Sequence, residues 1–153
     1  MKYAPQDKEY YQKRIEEGSE GIDYSIQRID ILTVAISGGG IYVCLETLKF
    51  LSENDINPTW IIKISGFLFL VSVVLNFVSQ VYGRKAHEKD YLWSQTMIEF
   101  LDKPDSQELE TEASDYETES ENYSKKCNEF TDLSTLAMGI GLVCLVLYFV
   151  FIF

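Results

Sequence analysis

Three apolar runs, Ile31–Leu51, Ile61–Val81 and Leu133–Phe153, alternate along the chain with strongly polar segments. Each run is about 20 residues, the length a helix needs to cross a hydrocarbon core roughly 30 Å thick. The third run carries no charged side chain. The first contains Glu46 and Lys49 near one end, spaced so that they can pair or snorkel. The pattern predicts three spans joined by a short connector, Ser52–Thr59, and a long polar loop.

The same periodicity continues outside the apolar runs. From Leu109, apolar or small residues recur at Ala113, Tyr116, Ser120, Tyr123, Cys127, Phe130 and Ser134. They continue at Ala137, Gly141, Cys144, Tyr148 and Phe151, in steps of four and three. A repeat of about 3.5 residues marks a helix packed along one seam. It predicts a single helix over Asp105–Phe153. The eight acids of Asp105–Tyr123 would also suit a disordered linker, but the unbroken repeat favours helix. The second span behaves alike, with Ser65, Ser72, Asn76, Ser79, Gly83, Ala86, Asp90, Trp93, Met97 and Phe100 on one face. Pro58 is placed to open that helix and Pro104 to close it, with Asp105 or Ser106 as the next N-cap. A hairpin turning at Pro104 sets Trp93, Met97 and Phe100 against Leu109, Tyr116 and Tyr123. Tyr10–Ile29 has a sparser helical face, with a bend or break expected at Gly18 and Gly21. The expected architecture is all-α: a polytopic membrane bundle whose long helices extend into a cytoplasmic hairpin or stalk. Its segments are an N-terminal helix (1–28), a two-span hairpin (29–82), a cytoplasmic hairpin (83–131) and a third span (132–153).

Each span has one small or polar face. Asp30, Thr33, Ser37, Gly40, Cys44 and Thr47 form it on the first, and Ser65, Ser72, Asn76 and Ser79 on the second. Such faces either pack helices closely, with hydroxyls bonding across the contact, or line a water-accessible path in an oligomer. Packing is the more common use. Asn76 discriminates between the two, because a mid-membrane amide must be paired or wet. Gly38-Gly39-Gly40 lies mid-span with no Lys-Ser/Thr after it, so it is not a phosphate loop. Arg28, Arg84, Lys85, Lys125 and Lys126 fall near one membrane boundary, where they would contact lipid headgroups or the phosphate of a signalling nucleotide.

Charge sets the orientation. The chain has 153 residues and a formal net charge of −11. Eleven of its 13 Lys and Arg precede the first run or lie between the second and third; only Lys49 and Lys63 border the connector. The positive-inside rule then places the N-terminus and long loop in the cytoplasm and the C-terminus outside. An acidic chain is a poor partner for bulk nucleic acid. Cys44, Cys127 and Cys144 suggest neither a disulfide framework nor a metal site. No cofactor motif is present, and with a single histidine, His87, no nucleophile, base and orienting group fall at usable spacing. Catalysis is not expected.

The polar helix Tyr10–Arg28, the close pair of spans joined by Ser52–Thr59 and the long helix after Gly83 resemble the SLATT-type membrane effectors. The resemblance covers Tyr10–Leu101 and is one of layout; Leu133–Phe153 adds a span to the two-span pattern. It implies a homo-oligomer of a bacterial inner membrane that answers a nucleotide or oligonucleotide signal in antiphage defence and arrests growth by forming a pore. With acids at both mouths, such a pore would favour cations. The competing expectation is a non-conducting anchor or scaffold whose cytoplasmic helices dock a protein partner.

Overall fold

A computed structural model describes residues 8–54, 56 and 60–152, with side chains for 30–54, 56 and 60–151. It contains three helices: α1 (Lys8–Glu53), α2 (Trp60–Asp102) and α3 (Gln107–Ile152). The protein is all-α. Three helices are long and apolar enough to cross a membrane, and only 22–28% of their most apolar windows is buried within the chain. The remaining apolar surface needs a hydrocarbon environment, which makes this a membrane protein.

The helix ends follow local chemistry. The backbone amide of Asn54 and its side-chain Nδ2 both donate to the Phe50 carbonyl, at 3.2 and 2.8 Å, closing the last turn of α1. At the other turn the Lys103 amide bonds the Glu99 and Phe100 carbonyls, and Pro104 blocks any continuation. Ser106 is the N-cap of α3: its Oγ accepts from the Leu109 amide at 3.4 Å and its carbonyl from the Glu110 amide. Pro58 lies outside the described residues.

Two expectations are settled by backbone continuity. Gly18 and Gly21 do not break α1, which is helical throughout. A glycine costs a helix only about 1 kcal/mol, less than a 46-residue helix loses by stopping. The acidic stretch after Pro104 is helical too, as the repeat implied.

The chain forms two compact units, one comprising residues 8–27 and 80–127, the other 28–79 and 128–152. The first, polar unit has a core of Trp93, Met97 and Ala113, with Ile98, Phe100, Leu101 and Tyr116 packed against it. Of the expected α3 partners only Tyr116 packs against that core, and Leu109 and Tyr123 do not join it. Tyr123 stacks obliquely on Tyr82, with ring centroids 6.2 Å apart. Ser94 and Thr96 are also buried, so α2 is covered over a wider arc than a single seam.

The second, apolar unit packs Cys44, Leu51, Ile62, Phe69, Leu145 and Tyr148 together, with Ile41, Leu48 and Met138 at the edge. The α3 seam keeps Gly141 and Tyr148 buried but shifts beside them, so that Leu145 rather than Cys144 is buried and Phe151 is exposed. Straight helices turn once every 3.6 residues, and a strict 3.5 repeat drifts off the contact.

Candidate functional site

The most ordered polar arrangement runs through the interior of the apolar unit. At one end Ser79 and Thr131 share a hydroxyl hydrogen bond of 2.5 Å. One turn along α2, Asn76 donates from Nδ2 to Asp30 Oδ1 at 2.6 Å, tying α2 to α1. The next layer joins all three helices. Ser72 donates to the Ser134 carbonyl (2.9 Å) and Ser134 returns a bond to the Ser72 carbonyl (2.8 Å). Ser37 donates to Ser72 Oγ at 3.2 Å. Each hydroxyl proton therefore has one acceptor, and the layer is saturated.

Above it the polar character stops at Phe69, whose side chain is fully buried. The ring occupies the gap left by two glycines: a Cβ on Gly40 would overlap it, and one on Gly141 would lie 3.3 Å away. Beyond Phe69 the seam resumes, with Ser65 donating to the Gly141 carbonyl at 2.7 Å and Cys44 Sγ weakly to Ser65 Oγ at 3.8 Å. The end of the unit is apolar around Ile62, Leu51 and Tyr148.

The sequence-predicted set maps onto this interior closely. Asp30, Thr33, Ser37, Gly40, Cys44, Ser65, Ser72, Asn76 and Ser79 are all buried, and Thr47 is half-buried with its hydroxyl on the Val43 carbonyl. These residues meet one another inside the three-helix unit, and hydrogen bonds, glycines and Phe69 fill the space between them. Outside the seam, the middle of each span exposes mainly Ile, Leu, Val, Phe, Ala and Gly, with Tyr42 on α1 and Thr135 on α3 as the exposed hydroxyl-bearing residues; Gly38 and Gly39 meet nothing within 4 Å. Phe69 was missed because a phenylalanine reads as lipid-facing. Its position, four residues after Ser65 and three before Ser72, was the available signal.

The basic residues separate into two kinds. Lys85 Nζ lies 5.6 Å from the Tyr123 ring centroid, and Lys126 Nζ the same distance from Tyr82. Arg84 and Lys125 are exposed. The Arg28 side chain lies outside the described set. One step further along the polar unit, Lys89 bridges Glu119 at 2.7 Å and lies over Tyr116. The Glu119 carboxylate holds the Lys89 ammonium above its ordinary pKa, and the bond to Glu112 does the same for the Tyr116 hydroxyl.

Among the described residues no cluster of three metal-ligating side chains occurs. Compared with known protein families, characterised proteins and solved structures, the chain matches none.

Proposed function

We propose that this protein is a membrane anchor or scaffold that holds a folded helical unit at the cytoplasmic face for a protein partner. One observation carries the reading. Ser37, Ser72, Ser134, Asn76 and Asp30 bond to one another within a single three-helix unit, and the mid-span surface left over is mainly apolar. An aqueous path needs a polar lining, and among the described residues the outer surface of the spans offers little of one. The polar unit supports the other half of the proposal: it has its own aromatic core and presents exposed carboxylates at Glu108, Glu112 and Asp115 along one side of α3. That stripe suits a basic partner surface.

The rival is the gated, cation-conducting effector that the SLATT-like layout implies. It requires the three helices to part and their polar faces to re-form around an oligomer axis. Purified protein in liposomes separates the two, measured with and without nucleotide signals. The anchor reading expects ion flux no greater than in empty vesicles, and Asn76→Leu expects the same. Cation flux that Asn76→Leu lowers while assembly persists would refute the anchor and carry the effector.

A further inference from the structure

In a chain that carries 24 acids, two facing stretches have none: Gln80–His87 on α2 and Asn122–Asn128 on α3. Between them they hold Arg84, Lys85, Lys125 and Lys126. Gln80–His87 continues directly from the second apolar run, and Asn122–Asn128 ends five residues before Leu133, where the third begins. Exposed acids flank the band, Glu88 and Glu121 on the side away from the spans and Glu129 and Asp132 toward the third, so the positive charge is confined to the level of the four basic residues.

The band is built as well as charged. Gly83 lets α3 approach so closely that a Cβ there would lie 3.2 Å from Cys127 Sγ. At this level Tyr82 and Tyr123 pair across the helices, and each carries the lysine of the opposite helix over its face: Lys126 on Tyr82, Lys85 on Tyr123. A ring beneath an ammonium restricts its motion but uses none of its N–H donors. The two ammonium groups, exposed like Arg84 and Lys125 beside them, are thus biased toward neighbouring positions with their N–H donors turned to solvent or ligand. Tyrosine rings at the level where a span meets water are in the usual place for headgroup contact.

We infer that Arg84, Lys85, Lys125 and Lys126, ordered by the crossed Tyr82–Tyr123 pair, form a site for the phosphate of anionic phospholipid headgroups. The site gives the anchor a preference for acidic membrane and fixes its depth. It is independent of whether the protein conducts ions or binds a partner.

The test uses the full chain reconstituted in phosphatidylcholine vesicles with phosphatidylglycerol as a minor component. Spin-labelled versions of the two lipids report relative association at the protein surface. Each basic residue held near an anionic surface contributes up to about a five-fold bias, and the wild type is expected to prefer phosphatidylglycerol by at least that factor. The variant Arg84→Gln/Lys85→Gln/Lys125→Gln/Lys126→Gln should fall to near parity, whereas Lys49→Gln/Lys63→Gln, at the other membrane boundary, should keep the preference. Tyr82→Leu/Tyr123→Leu retains every charge and should lose about half of the bias, because the lysines are no longer positioned. For wild type, which has no folding question, the preference should decay with added sodium chloride. An unchanged preference in the four-fold variant or in the two-tyrosine variant overturns the site. So does displacement of the labelled lipid by inorganic phosphate beyond that by chloride of equal ionic strength, which would assign the cations to a soluble phosphate ligand.

Discussion

Three consecutive glycines, Gly38, Gly39 and Gly40, are predicted to respond to the same substitution with opposite signs. Replacing Gly40 by alanine puts a methyl group into the Phe69 ring. The ring cannot simply slide away, because Gly141 lies against its other side, where a Cβ would be only 3.3 Å distant. Overpacking of this kind costs about 1–3 kcal/mol. The intrinsic helix preference of alanine over glycine returns up to about 1 kcal/mol, so Gly40→Ala should destabilise the apolar unit by about 1–2 kcal/mol. Gly38 and Gly39 have open space where their Cβ atoms would stand. Only the propensity term acts there, and Gly38→Ala and Gly39→Ala should be neutral or more stable by up to about 1 kcal/mol. A denaturant titration in mixed micelles, followed by circular dichroism, measures all three. Shrinking the obstacle completes the cycle: Gly40→Ala/Phe69→Leu should lose less than the sum of its single variants, with a coupling of about 1 kcal/mol or more. Equal effects at all three glycines, or additivity in the double variant, would refute the placement of Phe69 between Gly40 and Gly141.

Asn76→Leu deprives the buried Asp30 carboxyl of its amide donor and should cost about 1–2 kcal/mol in the same titration; Asp30→Leu/Asn76→Leu, which leaves no orphaned carboxyl, should cost less than the sum of the two singles. In the polar unit, Trp93→Ala should cost about 3–5 kcal/mol and speed protease cleavage within 83–127, and an unchanged melting temperature would count against the folded hairpin. Tyr148 is buried to 1% exposure and its hydroxyl has no hydrogen-bond partner among the described residues. Tyr148→Phe should therefore leave stability unchanged or raise it by about 1 kcal/mol, and a loss of more than that would reveal a partner for the hydroxyl.

Sequence alone determined what depends on local periodicity: three apolar helices of spanning length, helices that continue beyond the apolar runs, a turn at Pro104 followed by a cap at Asp105 or Ser106, and most of the buried faces. A helical repeat states which residues share a face, and turn chemistry acts within a few residues, so neither needs the rest of the fold. The repeat does not say what covers that face. Ser37, Ser72 and Ser134 would show the same spacing around an oligomeric pore as in a closed three-helix unit, and only tertiary packing joins them in one hydrogen-bonded layer. The same limit hid Phe69. Its ring is buried because Gly40 and Gly141, from two other helices, vacate its volume, and volume complementarity between distant segments leaves no periodic trace. It also explains why Gly40 is confined while Gly38 and Gly39 are open, and why Tyr123 stacks on Tyr82 instead of entering the Trp93 core. Helix faces are a property of the chain, but their partners are a property of the packing.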